Sequence, residues 1–428
     1  MLQTLRNAWK IPDLRKKILF TVLLIVVFRL GSFIPVPWIN AEFVEAWLNA
    51  GNGSTLFNLM NSFSGGSLAN ATIFAMSISP YINSSIIMQL LTVAIPALER
   101  MAKEGAEGRK KITKITRYVT VVLGAVQALG LYFTLKSQGA IVLDGSMPEI
   151  FVALSIITAF TAGTAFLMWL GEQITGRGIG NGISMIIFAG IVASIPNMMY
   201  SATQALSAWY GWVLLAVYVL LSIVFVVMIN DAERKIPVQY AKRVVGNKMY
   251  GGQSSNIPLK VTQGGVIPII FAMSIISFPA TLAQLFAAGN TSHWLYKVAE
   301  FMTGGWFYPV FLFVLIIAFT YFYSSITFNP IEIANNIKQN GGTIMGIRPG
   351  KPTSDYITKV LSKITLIGAV ALAIIAVLPI IVTLITKAPI ASLALTGTSL
   401  LIVVGVALET VKQIEAQMVM RHYKGFLE

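Results

Sequence analysis

Residues 57–91 have the sequence FNLMNSFSGGSLANATIFAMSISPYINSSIIMQLL, in which a first apolar segment ends at two glycines and a second apolar segment follows. The first part, Thr55 to Phe63, is mildly apolar and ends just before Gly65 and Gly66. At about 1.5 Å per helical residue it covers roughly 14 Å, half of a hydrocarbon core about 30 Å thick. The sequence therefore predicts a half-helix that enters the membrane without crossing it.

A second helix is predicted from about Ala71 to Val93, and it is long enough to cross. Lipid does not tolerate polar side chains at membrane depth, so its polar face must line protein or water. That face carries Ser77, Ser79, Asn83, Ser84, Ser85 and Gln89. Ile78, Ile82 and Ile86 recur every four residues, the spacing that stacks side chains along one face of a helix. A half-helix beside such a stripe is what a plugged, hydrophobically sealed pore needs.

The composition predicts an all-α polytopic membrane protein. Hydrophobic residues make up 56% of the 428 residues and charged residues 11%. The mean hydropathy is +0.74, whereas about a quarter of the residues of an average soluble domain are charged. The absence of cysteine excludes disulfides and thiolate sites, and the two histidines, His293 and His422, lie beyond the predicted spans. We therefore expect no metal, no cofactor and no catalytic residues.

Ten membrane-crossing helices are predicted, which places both termini on one side. On that side lie 27 of the 31 lysines and arginines. Since these residues accumulate in cytoplasmic loops, we expect both termini in the cytosol. The apolar run after the basic N-terminus ends in PVP rather than at a small-residue cleavage site, so it is interpreted as a retained first span. Five spans in each half, 1–205 and 206–428, predict inverted repeats with the functional site between them.

Two connections, 230–262 and 329–363, are far longer than the usual limit of about 12 residues. The first carries six basic residues, and the second contains GIRPG at 346–350, where Pro349 and the glycines predict a rigid tip that presents Arg348. Two interpretations stay open. These are solvated basic loops, or they form a docking surface for a large acidic partner such as a motor protein or ribosomal RNA.

Several motifs in order along the whole chain resemble the SecY family, the channel subunits of protein translocons. They are FIPVP (33–37), FSGGSL (63–68), ISPYINSSIIMQLLT (78–92), GIGNGISMIIFAGIV (178–192), YAKR (240–243), IPLKVTQGGVIPIIFA (257–272), FNP (328–330), GIRPG and TGTSLLIVV (396–404). The sequence departs from the family pattern where Trp38, Ser77 and Thr396 replace glycines that are common there.

The resemblance implies an hourglass channel with a constriction near the midplane, an outer plug and a lateral gate to lipid. The implied constriction residues are Ile78, Ile82, Ile183, Ile187, Ile270 and Ile402. The implied plug spans residues 55–68 and includes Phe57, Leu59, Met60, Asn61, Phe63, Gly65 and Gly66. Taken singly, the isoleucines are also typical of lipid-facing helices. The four-residue spacing of two of the pairs favours shared faces, and a collar of branched aliphatic side chains excludes water by dewetting.

The lateral gate is implied between the second and third spans on one side and the seventh and eighth on the other. Its candidate residues are Ser85, Gln89, Thr262 and Gln263, of which Gln89 and the pair Thr262/Gln263 form a candidate polar latch. Arg29, inside the first span, lies within about 9 Å of the outer end of that span, where it can extend to the interface as a structural residue.

The resemblance also implies partners: the small subunits SecE and SecG, the SecA ATPase or the ribosome, and signal-sequence-bearing polypeptides, at the bacterial plasma membrane. The implied docking residues are Arg234, Lys235, Lys242, Arg243, Lys248, Arg348 and Lys351. No GxxxxGK[ST] loop is present, so the energy for transport must come from a partner.

Two other functions are weighed against a passive protein-conducting channel. A secondary transporter also uses inverted repeats and broken helices. However, coupling to protons or sodium normally needs carboxylates at membrane depth, and Glu172 and Glu409 fall at the cytosolic ends of predicted spans. A membrane enzyme lacks candidate catalytic groups.

Overall fold

The structure is a computed structural model that describes residues 2–49, 61, 64–142, 147–205, 209–240, 243–245, 248–250, 254–287, 294–386 and 397–424. Helices predominate in the part of the chain before residue 232. They are α1 (Leu2–Lys10), α2 (Pro12–Gly31), α3 (Ala41–Asn49), α4 (Ser79–Ala94), α5 (Pro96–Lys103), α6 (Ala106–Ser137), α7 (Glu149–Arg177), α8 (Gly182–Ala205) and α9 (Trp209–Asp231).

The rest of the chain combines helices with short strands. The strands are β1 (Glu233–Tyr240), β2 (Arg243–Val245), β3 (Lys248–Tyr250), β4 (Ser254–Lys260) and β5 (Gly342–Ile344). The helices are α10 (Ile267–Ala287), α11 (Trp294–Thr303), α12 (Phe307–Thr327), α13 (Pro330–Gln339), α14 (Lys351–Thr386) and α15 (Gly397–Lys424). The expectation of an all-α chain therefore misses the five strands found among the described residues, and these five lie in the two long connections.

Several helices of the described residues are able to cross a membrane. Four qualify by length and apolar composition: Ala106–Ser137, Glu149–Arg177, Phe307–Gln339, which joins α12 to α13, and Lys351–Ile381. Helices α4 and α5 are bent by 99° relative to each other, and the pair adds a fifth crossing if it counts as one broken span. Shorter apolar helices are Gly182–Asn197, Ala216–Asp231 and Ile267–Ala283. The chain is thus a helical, multi-pass membrane protein.

The predicted start of the second span is wrong. The helix begins at Ser79 rather than at Ala71, and the residues before it form turns. The backbone is left-handed at Ala71 (φ 49°) and at Ser77 (φ 52°), a conformation that no regular right-handed helix contains. Pro80 lies in the first turn of α4, where its missing N–H leaves no hydrogen bond unmade.

The long connections form a small sheet outside the apolar helices. Strand β1 lies in the centre and pairs antiparallel with β4 and with β5, so the two loops, about 100 residues apart in sequence, are joined in one sheet. Ile236 and Val238 alternate with exposed neighbours along β1 and point into a cluster with Ile344 of β5. The period of two expected for a half-buried strand is therefore present in ERKIPVQY.

Buried apolar side chains form several clusters. The largest, here called the gate cluster, joins α10, α12 and α14 to Ile86 of α4. A second packs α6 and α7 against the segment from Val36 to Leu48. A third joins α2, α7 and α8 through side chains such as Phe28 and Leu167. Between the helices of the two halves lies a small fourth cluster, which contains most of the predicted constriction.

Candidate channel constriction, plug and gate

Five of the six predicted constriction residues lie in one apolar cluster, here called the collar. Ile187, Ile191, Ile402 and Val406 are its buried members, between 0% and 5% exposed. Seven partly buried side chains pack against them: Ile82, Ile183, Met185, Phe188, Val266, Ile270 and Val403. Helices α4 and α8 of the N-terminal half and α10 and α15 of the C-terminal half all contribute. The collar is therefore built between the two halves.

The start of α8 fixes which of its side chains enter the collar. The Asn181 side chain accepts from the backbone N–H of Ile183 (3.1 Å) and Ser184 (3.4 Å), as a helix N-cap does. Gly182 lies so close to α7 that an added Cβ would be 1.8 Å from the Gly171 carbonyl oxygen. This close approach sets the phase of α8, and positions 183, 187 and 191 then follow one face.

Ile78 lies beside the collar, in the cluster of α2, α7 and α8. It is 1% exposed and belongs to a group with Phe28, Phe74 and Ile174. Ile82 and Ile183 pack against this group as well as against the collar. Ile78 therefore lies next to the collar and shares the neighbours Ile82 and Ile183 with it. Because Ile78 comes just before the first residue of α4, the four-residue spacing of a helix does not place it on the same face as Ile82.

The sequence analysis missed six collar residues, and two of them, Ile191 and Val406, carry a usable signal. Ile191 follows Ile187 by four residues, and Val406 follows Ile402 by four, so the helical period extends both stripes by one turn. Val266 precedes α10 and lacks such a signal. Val403 adjoins Ile402 in sequence, which does not place the two on one helical face.

The described part of the predicted plug is a compact turn. Phe57, Leu59, Met60 and Phe63 lie outside the described residues, whereas Asn61, Gly65 and Gly66 are described. The backbone is left-handed at Gly65 (φ 69°) and Gly66 (φ 87°), as glycines permit. Gly66 N–H donates to the Asn61 carbonyl at 2.9 Å, and the Asn61 side chain accepts from Ala69 N–H at 3.0 Å. The turn is thus closed by its own hydrogen bonds.

The two sides of the predicted lateral gate meet through apolar side chains. Ile86 of α4 is 4% exposed in the gate cluster, together with α10 residues such as Ile269 and Met273. Ser85 and Gln89 are half-buried on the same helix. Thr262 is buried and its hydroxyl donates to the Asn230 side chain (3.1 Å), within the C-terminal half. Among the described residues, Gln89 forms no hydrogen bond with Thr262 or Gln263, so the latch stays a prediction.

Four of the predicted docking residues are exposed on the small sheet or in the segment that follows β5. Arg234 and Lys235 are exposed on β1, and Lys235 pairs with Glu233 at 3.3 Å. Arg243 and Lys248 belong to the hairpin of β2 and β3, while Lys242 lies outside the described residues. Exposed residues Arg348 and Lys351 lie between β5 and the first turn of α14.

The tip that carries Arg348 is held from both sides. Ile347 packs against the sheet cluster, and its N–H donates to the Ile344 carbonyl at 3.0 Å. The Arg348 carbonyl accepts from the Thr353 hydroxyl at 2.9 Å. Gly346 (φ 78°) and Gly350 (φ 103°) supply the left-handed backbone on either side. The arginine side chain is therefore exposed on a backbone that is fixed.

No group of three or more His, Asp or Glu side chains able to hold a metal occurs in the part of the chain that the structure describes. Glu172, near the C-terminal end of α7, pairs with Arg117 of α6 at 2.6 Å. This ion pair joins two neighbouring helices, and an occupied carboxylate is a poor coupling group for ions.

These features define a class: a helical membrane protein in which helices from the N-terminal and C-terminal parts of the chain meet at an apolar collar, as expected of a channel with a hydrophobic seal. Residues 72–411 match the SecY family. The protein translocase subunit SecY of Halalkalibacterium halodurans is 47% identical over 442 residues, covering 100% of both chains. A solved protein-conducting channel matches with a TM-score of 0.67 at 17% identity, covering 95% of this chain and 93% of that one. Sec61 in a canine ribosome–channel complex gives 0.63 at 15% identity, with the same coverage. The chain belongs to the SecY family, which confirms the resemblance of its motifs.

Proposed function

We propose that this chain is a passive protein-conducting channel of a bacterial plasma membrane. It passes unfolded polypeptides across the membrane and releases apolar segments sideways into lipid. Ten spans in two inverted halves, 1–205 and 206–428, surround an hourglass pore, and both termini face the cytosol. The positive-inside distribution of Lys and Arg supports this orientation.

The observation that carries the proposal is the collar between the two halves. It draws branched aliphatic side chains from α4, α8, α10 and α15, and its inner members Ile191 and Ile402 are 0% and 1% exposed. A narrow apolar constriction of this kind excludes ions by dewetting, yet its side chains are held by dispersion and burial alone. A polypeptide pushed from one side therefore separates the side chains without breaking hydrogen bonds or ion pairs.

The contact between α4 and α10 supports the lateral gate. Ile86 joins the two halves through apolar packing, and an apolar signal sequence offers equivalent packing when it inserts there. Interhelical hydrogen bonds in membranes average about 0.6 kcal/mol, so a polar latch near Gln89 would be weak enough to open.

The sheet and its basic surface support docking of a partner that supplies energy. Arg234, Lys235, Arg348 and Lys351 give this cytosolic region exposed positive charge, and the Arg348 tip is fixed. Steering by such a surface favours an acidic partner. We infer that a SecA-type ATPase or a ribosome docks here, and that SecE- and SecG-type subunits complete the channel. A protein of the same fold, the canine Sec61, forms a ribosome–channel complex, which supports a ribosome as a partner.

A transport assay tests the proposal. The full chain, reconstituted with SecE- and SecG-type subunits in proteoliposomes, should protect a signal-sequence-bearing precursor from protease when a SecA-type ATPase and ATP are present. A precursor without its signal sequence is the control. The proposal is contradicted if a complex that retains its subunits protects the precursor no better than vesicles without the channel do. Ion-coupled uptake of a small solute would favour a secondary transporter instead.

A further inference from the structure

Arg29 points from the first apolar helix to the plug turn. It lies in the last turn of α2 and is half-buried. Its Nη1 donates to the carbonyl oxygen of Gly65 at 3.0 Å. Its guanidinium carbon lies 4.8 Å from the centre of the Phe33 ring, a distance at which a cation and an aromatic face attract. The sequence analysis expected this arginine to extend toward the membrane surface, but the structure directs it to a specific acceptor.

The acceptor is held against α8 on its other side. A Cβ added to Gly65 would lie 3.1 Å from the carbonyl oxygen of Gly190 and 3.2 Å from its Cα. It would also lie 3.4 Å from Nη1 of Arg29. Gly65 is therefore enclosed between a cation on α2 and bare backbone on α8. Gly190 stands between Ile187 and Ile191 in sequence, so this contact is next to the collar.

The other hydrogen bonds of this segment are local. Ser64 donates to the Asn61 carbonyl, Ser67 donates to the Ser64 carbonyl at 2.7 Å, and Asn61 accepts from Ala69. They preserve the shape of the turn but do not attach it to a membrane helix. Within the described residues, the Arg29 bond is the side-chain hydrogen bond that connects residues 61–70 to one of the long helices.

We propose that Arg29 is a positioning residue that latches the plug in the closed channel. The guanidinium holds the Gly65 carbonyl and thereby presses the glycine turn against Gly190, beside the collar. Opening requires this bond to break, because the turn cannot leave α8 while its carbonyl is held. The inference rests on the proposed plug function of residues 55–68.

The chain offers a clean probe because it contains no cysteine. Ser64 is 0% exposed, so a cysteine introduced by Ser64→Cys reports displacement of the turn through its rate of labelling by a membrane-impermeant maleimide added outside. A hydrogen bond to a charged group is worth enough that its loss should raise the displaced population at least about tenfold. In the Ser64→Cys background, Arg29→Ala should therefore label about ten times faster, and Arg29→Lys should fall between it and the unchanged arginine.

Leu30→Ala is the matched control, since Leu30 adjoins Arg29 on α2 and is 64% exposed. It should label at the rate of the parent. Resting ion conductance of the full complex in planar bilayers gives a second measurement and should rise with the labelling rate. If Arg29→Ala does not assemble, the Arg29→Lys comparison alone decides: a rate equal to that of the parent, with no rise in conductance, overturns the latch.

A double variant tests whether Arg29 acts through Gly65. Gly65→Ala forces a side chain into a left-handed position against Gly190, so it should displace the turn by itself. Adding Arg29→Ala should then increase labelling little further. If the two effects multiply, Arg29 does not act through this carbonyl. A variant that lacks residues 55–68 distinguishes the plug from the latch. If its resting conductance equals that of the parent, the plug is contradicted. If it leaks while every Arg29 variant behaves like the parent, only the latch is contradicted.

Discussion

Replacing two buried collar residues by serine, Ile187→Ser and Ile402→Ser, should make the resting channel leak ions. The two isoleucines are 4% and 1% exposed and come from helices of different halves. Each serine removes three carbon atoms, so at about 0.8 kcal/mol per buried methylene the pair loses about 5 kcal/mol of apolar burial. A factor of ten in a population corresponds to about 1.4 kcal/mol, so a third of that loss is enough to raise the wetted population about tenfold.

The assay is the single-channel and macroscopic conductance of the reconstituted complex in planar bilayers, without motor protein or precursor. We expect at least a tenfold rise for the double variant and a smaller rise for each single variant. The hydroxyls add to the effect, because a polar side chain in the collar provides a hydrogen-bond partner for entering water.

Ile357→Ser is the matched control. Ile357 is also 1% exposed, but it lies near the start of α14 and packs in the cluster of the small sheet rather than in the collar. Its replacement loses as much burial as each single collar variant and should lower stability comparably to them, while the resting conductance stays at the parental value. Equal leak from the control, or parental conductance from the collar variant, would refute the assignment of these side chains to a seal.

Three other outcomes follow from the geometry. Arg348→Glu should reduce ATPase binding to channel vesicles at least tenfold while resting conductance is unchanged, because a fixed exposed cation becomes an anion. A disulfide between cysteines at Ser85 and at a facing position of α10 should block precursor transport until it is reduced, and transport through the oxidised channel would contradict a gate there. Ser77→Gly should be more stable than Ser77→Ala by about 1 kcal/mol in thermal unfolding, because both variants lose the hydroxyl and only alanine retains a side chain at φ 52°.

The resemblance to the family implied the constriction residues, and the four-residue helical period supported two pairs of them, Ile78/Ile82 and Ile183/Ile187. Ile183 and Ile187 were recognised on one face of α8 by spacing and motif, and the same rule reaches Ile191. The rule fails at Ile78, where the helix has not yet begun. Left-handed backbone at Ser77 depends on the surrounding turns, and a window of apolar residues does not reveal it.

The departures from the family pattern acquire a physical meaning in the structure. Trp38 replaces a glycine of the family pattern that the motifs of this chain resemble, and its backbone is left-handed (φ 64°). Ser77 is a second position where a glycine of the family pattern is replaced and the backbone is left-handed, with φ 52°. Glycine is common where φ is positive because it has no Cβ to clash with the carbonyl group. Trp38 offsets that strain in part by packing edge-on against Phe151, with ring centres 6.1 Å apart. Thr396 lies outside the described residues.

The sheet and the plug contact were beyond reach of sequence reasoning for a different reason. Strands β1 and β5 pair across about 100 residues, and β5 has only three residues, too few for a recognisable pattern. The bond from Arg29 to Gly65 joins a side chain to a backbone carbonyl. Every residue has such a carbonyl, so the sequence contains no information on which one accepts.

The position of Ile82 suggests how a signal sequence at the gate reaches the constriction. Its side chain packs against the gate cluster, against the collar and against the cluster of α2, α7 and α8. Ile86, one turn further along α4, is buried in the gate cluster itself. Because a helix moves as a rigid rod over one turn, a peptide that displaces Ile86 from α10 also withdraws Ile82 from the collar. Interiors are close-packed, so the remaining collar side chains lose contacts on that side and separate more easily. In the channel proposed here, gate opening and pore widening would then be a single motion of α4, without a separate signal between them.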